Sequence, residues 1–145
     1  MKNILFVCTG NTCRSPMAKA IFEQLQVDYN LDDYQCDSAG LAASPGDAAS
    51  ANSVKVLAEW GIDLSGHRSK AVTVELLEWA DIIVAMTPSH KSAMKSVGVP
   101  DVNVNDKITV LQNGIMDPYF GSIEVYRNCR NQIKSELERI IDELT

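Results

Sequence analysis

The sequence predicts an α/β fold in which a parallel sheet carries helices on both faces. Two observations point there. The runs Asn3-Ile4-Leu5-Phe6-Val7-Cys8 and Asp81-Ile82-Ile83-Val84-Ala85-Met86 are short and apolar without alternation, the pattern of strands covered on both sides. Between and after them, apolar residues recur three or four apart, as on one face of a helix. Strands alternating with helices bring right-handed crossovers and a parallel sheet.

The elements follow in order. The strand over residues 3–8 leads into a loop bearing Gly10 and Asn11, and Pro16 then opens a helix through Met17, Ile21 and Leu25. Ser15 before Pro16 reads as its cap. Residues 34–38 form a second short strand. Ser50 caps a helix carrying Val54, Leu57 and Ala58 that Gly61 stops, and Thr73 starts a short helix through Leu76, Leu77 and Ala80. After the strand over residues 81–86, Thr87-Pro88 begins a helix that Gly98 ends. Residues 107–111 make the last strand and residues 112–121 a loop. A closing helix sets Tyr126, Cys129, Ile133, Leu137, Ile140 and Leu144 on one face.

With 145 residues and no internal repeat, biased tract or linker, the chain is expected to form one domain over residues 1–145. Thirteen Lys and Arg against nineteen Asp and Glu give a net charge of −6, which argues against binding nucleic acid through its phosphates. No apolar run approaches the ~18 residues of a membrane span, and the stretch Ile4 to Cys8 is too short for an export signal. A cytoplasmic monomer is the expectation. Cys8, Cys13, Cys36 and Cys129 are then reduced thiols. Only Cys8 and Cys13 are close, and His67 and His90 supply no second pair, so no metal is expected.

The segment Cys8-Thr9-Gly10-Asn11-Thr12-Cys13-Arg14-Ser15 carries the chemistry. Eight residues between a strand end and a helix start can curl so that Thr9, Gly10, Asn11, Thr12, Cys13 and Arg14 point backbone N–H groups inward. Together with the helix's positive end they make an anion cradle. Gly10 is expected to take conformations barred to residues with side chains, and Asn11 tolerates the left-handed region. Arg14 supplies a planar fork that holds two phosphate oxygens at once. The same field should favour the thiolate of Cys8, and Ser15 can donate a hydrogen bond to that sulfur. A sulfur anion beside a bound phosphorus is set for covalent phosphoryl transfer. In open sheets ligands sit beyond the carboxyl ends of strands, where Cys8 lies.

The run Phe6-Val7-Cys8-Thr9-Gly10-Asn11-Thr12-Cys13-Arg14-Ser15-Pro16-Met17-Ala18 resembles the active-site loop of low-molecular-weight protein tyrosine phosphatases. The likeness continues through Asp37-Ser38-Ala39-Gly40, Gly66-His67 and Asp117-Pro118-Tyr119, nearly the whole chain. It implies a flavodoxin-like three-layer sandwich with four parallel strands in the order 2-1-3-4. It also implies hydrolysis of phosphorylated proteins through a phosphocysteine, inhibition by inorganic phosphate or similar oxyanions, and no cofactor. An oxygen leaving group needs an acid, which then serves as base towards water. Asp117 is favoured for that role: it lies in a Gly-containing loop before Pro118 and matches the family's Asp-Pro-aromatic position. Asn11, Ser38 and His67 match positions that brace the loop, whereas His90 matches none and is expected to be exposed. Trp60 and Trp79 read as packing residues. Cys13, near Cys8 in the curled loop, can form a reversible disulfide with it.

Two departures bear on the substrate. Thr12 stands where tyrosine phosphatases of the family carry Ile or Leu, and it resembles the protein-arginine phosphatase branch. Tyr119-Phe120 instead keeps two aromatics able to flank a phenyl ring. Phosphotyrosine is the leading expectation and phosphoarginine the alternative. Arsenate reduction would need a downstream Cys pair, and none exists between Cys36 and Cys129. A phosphate-binding module without catalysis would need neither Cys8 nor Asp117.

Overall fold

Why one strand ends at Cys8 and a helix begins six residues later is settled by the backbone between them. In this computed structural model, which describes residues 1–96, 104–111 and 114–144, Asn11 adopts φ 56°, in the left-handed region. That reversal turns the chain after β1 (Lys2–Cys8) straight into α1 (Arg14–Asp28). The helix therefore starts at Arg14, two residues before Pro16, with Cys13 at its N-cap position and no side-chain cap. Ser15 does not cap it, because its hydroxyl is taken up by Cys8 and Asn11. Pro16 still falls in the first turn, where a missing N–H leaves no partner wanting. Gly10, in contrast with expectation, does not carry the unusual φ.

The remaining elements are β2 (Tyr34–Gly40), α2 (Ala51–Ala58), α3 (Val74–Trp79), β3 (Ile82–Ala85), α4 (Pro88–Ser96), a 3-10 turn (Val104–Lys107), β4 (Ile108–Val110) and α5 (Ile123–Leu144). The sheet is parallel in the order β2-β1-β3-β4, as the family resemblance implied. Strand β2 runs two residues beyond the expected end, because Gly40 pairs with Cys8 in the register. Ser50 and Thr73 cap α2 and α3, accepting from Ser53 N at 3.4 Å and Leu76 N at 3.1 Å. The expected stop at Gly98 and the start of the loop at Gln112 lie outside the described residues.

Period-two alternation in β1 divides the interior. Ile4, Phe6 and Cys8 face Met17, Ile21, Phe22 and Leu25 of α1 and Ile133 and Leu137 of α5. Leu5 and Val7 face Leu77 of α3 and Met94 of α4. Both faces of the strand are thus packed, and truncation of fully buried Phe6 should cost ~3–5 kcal/mol. A buried, doubly covered β1 fixes the height at which Cys8 emerges.

Candidate active site

Cys8, at the carboxyl end of β1, is 2% exposed and forms the floor of a cleft of roughly 290 Å³. Thr9, Gly10, Thr12, Cys13 and Arg14 line its base, and Asp117, Tyr119 and Asp47 its rim. Asn11 is fully buried behind the loop. Its amide donates to Ser15 Oγ at 2.8 Å and Ser38 Oγ at 3.0 Å, while its Oδ1 accepts from Lys70 N at 2.9 Å. The Asn11 carbonyl accepts from His67 Nε2 at 2.7 Å, which places the ring proton on that nitrogen. Burial, partly offset by that bond, pushes the His67 pKa down, so the ring stands neutral. Ser38 and His67 are therefore tied to the loop through Asn11.

Ser15 Oγ lies 2.9 Å from Cys8 Sγ and 3.5 Å from the Ala39 carbonyl. Since Asn11 donates into this oxygen, the Ser15 hydrogen is free, and the nearer acceptor is the sulfur. Arg14 is 5% exposed: Nη1 donates to the Ile115 carbonyl at 3.0 Å and Nη2 to Thr9 Oγ1 at 3.3 Å. Asp117 Oδ2 stands 3.7 Å from Nη2, and its Oδ1 accepts from Tyr119 N at 3.0 Å. A buried guanidinium beside a half-exposed carboxylate thus faces the same cleft as the sulfur.

The rings of Tyr119 and Phe120 meet tilted, with centroids 4.1 Å apart, yet only Tyr119 lines the cleft; Phe120, at φ 66°, is 92% exposed. Cys13 Sγ lies 3.4 Å from Ser50 Oγ and 3.5 Å from Tyr126 Oη. Burial, followed by the Cys13 contact, pushes Tyr126 up to about 12.

The structure corrects the reading of His90. It is buried, at 5% exposure, because α4 folds it against the loop, where its Nε2 meets Thr9 Oγ1 at 2.9 Å. The expectation of exposure rested on no positional match. The missed signal was its place just past the carboxyl end of β3, the strand beside β1. Asp47 and the Ile115 carbonyl were also missed, since each reaches the site through tertiary contact alone. Among the described residues no group of three or more His, Cys, Asp or Glu converges to hold a metal.

Comparison with known proteins agrees with this geometry. The family model "Low molecular weight phosphotyrosine protein phosphatase" matches residues 3–145. A relative from Geobacillus stearothermophilus, named protein-arginine-phosphatase, is 39% identical over 97% of this chain and 95% of its own length. The solved low molecular weight protein tyrosine phosphatase from T. tengcongensis superposes with a TM-score of 0.90 at 38% identity, covering 99% of each chain. The YwlE arginine phosphatase, solved as a mutant with a phosphorylated active-site serine, superposes with a TM-score of 0.89 at 35% identity, covering 98% of this chain and 95% of that one. Fold and cleft together define a protein phosphatase, a hydrolase that acts on phosphorylated proteins. Within that class the chain belongs to the low molecular weight phosphotyrosine protein phosphatase family.

Proposed function

We propose that the protein, as one domain over residues 1–145, hydrolyses phosphotyrosine on proteins in two steps through a phosphocysteine at Cys8. The observation that carries this reading is the Cys8 sulfur beneath a cleft that Arg14 and Asp117 share. The phosphoryl group sits in the cradle of Thr9, Gly10, Asn11, Thr12, Cys13 and Arg14, with Ser38 and His67 bracing it through Asn11. Cys8 Sγ attacks phosphorus, the bond to the phenolic oxygen breaks, and Asp117 gives that oxygen its proton. Water then attacks the phosphocysteine, Asp117 takes its proton, and the sulfur leaves with its electron pair, stabilised by the Ser15 hydroxyl. The phosphorylated serine of the related mutant supports covalent transfer at this position. Burial pushes Cys36 and Cys129 each up to about 12, so neither suits the thiol relay that arsenate reduction requires.

The enzyme needs no cofactor, is inhibited by inorganic phosphate and similar oxyanions, and works as a cytoplasmic monomer. Cys13, buried in the same loop, protects Cys8 through a reversible disulfide under oxidation. Peptide mapping after mild peroxide treatment tests that link. For the main reading, an aryl phosphate assay is decisive: Cys8→Ser should abolish turnover, and Asp117→Asn should slow it ~10²–10⁴-fold. Undiminished turnover in Cys8→Ser would exclude the mechanism.

A second reading, phosphoarginine as substrate, is favoured by Thr12 lining the cleft and by the name of the Geobacillus relative. Asp47 on the rim would suit a cationic guanidinium. The ratio of kcat/KM for phosphotyrosine and phosphoarginine peptides, with Thr12→Ile alongside, separates the two. An unchanged ratio in Thr12→Ile removes Thr12 as the determinant.

A further inference from the structure

His90 has no part in the chemistry above, yet it is buried against the loop and both its ring nitrogens are engaged. Nε2 lies 2.9 Å from Thr9 Oγ1, and Nδ1 lies 3.1 Å from Thr87 Oγ1. Thr9 Oγ1 is also the oxygen that accepts from Arg14 Nη2 at 3.3 Å. Burial, reinforced by the positive charge of Arg14, holds the His90 pKa down at about 4, so the ring is neutral at ordinary pH. A neutral imidazole has one donor and one acceptor nitrogen.

The hydrogen bonds then run in one direction. Arg14 has only hydrogens to give, so Thr9 Oγ1 receives one and keeps its own hydrogen to pass on. The remaining partner is His90 Nε2, which must accept. The ring proton is left on Nδ1 and donates to Thr87 Oγ1, which in turn reaches Ser89 Oγ at 2.8 Å. Donor meets acceptor at every step from Arg14 to Ser89.

With Nη1 held by the Ile115 carbonyl and Nη2 by Thr9, two of the five guanidinium hydrogens are fixed. The other three are open to an oxyanion in the cleft, the second one on Nη2 in competition with Asp117 Oδ2 at 3.7 Å. We propose that His90 is a positioning residue for Arg14: by accepting from the Thr9 hydroxyl, it orients that oxygen towards the guanidinium and holds the fork in the plane that grips the phosphoryl group. Its role rests on the phosphatase reading only in that the bound group is a phosphoryl. The link to Arg14 exists without turnover.

The test exploits the two nitrogens separately. A Gln amide reaches the position of Nε2, whereas an Asn amide reaches only that of Nδ1. His90→Gln should therefore keep an acceptor for Thr9, and His90→Asn should satisfy Thr87 alone. Two readouts are taken on each purified variant: kcat and KM with an aryl phosphate, and the dissociation constant of inorganic phosphate by calorimetry. The phosphate titration reports on Arg14 even if no hydrolysis occurs, so failure of the proposal is distinct from failure of the phosphatase reading.

His90→Asn should lower kcat/KM about tenfold and weaken phosphate binding several-fold, with His90→Gln within about threefold of wild type on both. In a Thr9→Val background, where the link is already cut, His90→Asn should cost nothing further. Asn equal to Gln, or phosphate affinity unmoved in His90→Asn, overturns the proposal. So does a full additional loss in the Thr9→Val background. The Tm of each variant, read alongside, shows whether losses track stability instead, which would also overturn it.

Discussion

Asn11 joins more of the site than any residue that faces the cleft. One buried amide ties Ser15, Ser38 and Lys70 N together, its carbonyl holds His67, and its φ of 56° turns the chain towards α1. Asn11→Ala would remove three hydrogen bonds and leave a Cβ-bearing residue at positive φ without the local bonding that Asn offers. We expect ~2–4 kcal/mol lost from stability and a larger fall in kcat than in KM, measured by urea unfolding and steady-state assay. His90 makes a second prediction. It ionises near 6.5 when unfolded and near 4 when folded, burial acting first, Arg14 next, and Asp117 opposing. Between those values the unfolded chain holds more protons, so stability rises with pH across that window and is lost as pH falls through it. Wild type should lose up to about 3 kcal/mol more than His90→Gln between pH 7 and pH 4, read from urea midpoints. Equal losses would contradict the neutral buried ring. At this scale loop chemistry pointed to Cys8, Arg14 and Asn11, whereas Asp117 was singled out by its place before Pro118 and by the family resemblance. The sequence hid His90, because only its place past the carboxyl end of β3, beside β1, sets it apart from a helix-turn histidine that faces water.

Element ends decide how the loop is shaped. Gly40, at the end of β2, lies so close to the loop that a Cβ there would stand 2.6 Å from Thr9 O and 2.9 Å from Asn11 N. Backbone atoms cannot move aside cheaply, so Gly40→Ala should displace the loop and lower kcat/KM at least about tenfold. Gly10→Ala meets only Thr12 Oγ1, at 3.7 Å, and should fold normally. Parallel measurement of Tm and kcat/KM on the two variants checks the contrast. The strands and the caps at Ser50 and Thr73 were legible because unbroken apolar runs and capping residues are local signals. The start of α1 was misread for a physical reason: Ser15 resembles a cap, but its hydroxyl is committed to Cys8 and Asn11.

On the scale of the molecule, two packed layers hold β1 from both sides while the loops after β1, β2 and β4 meet at the cleft. Composition and periodicity revealed the parallel sheet and its helices, whereas the order 2-1-3-4 came from the family resemblance, since strand order depends on long-range packing. Asp117 is far from Cys8 along the chain, and only the closing of the sheet and α5 brings it within 3.7 Å of Arg14. The central claim, that phosphorus passes through Cys8, has a direct measurement. Acid-quench the Asp117→Asn enzyme during turnover of an aryl phosphate, digest it, and locate the phosphoryl group by mass spectrometry. Transfer through Cys8 puts one phosphoryl group on the peptide bearing Cys8, absent from Cys8→Ala,Asp117→Asn protein. A phosphoryl group on any other residue, or none on Cys8 while a burst of phenol is released, would contradict it.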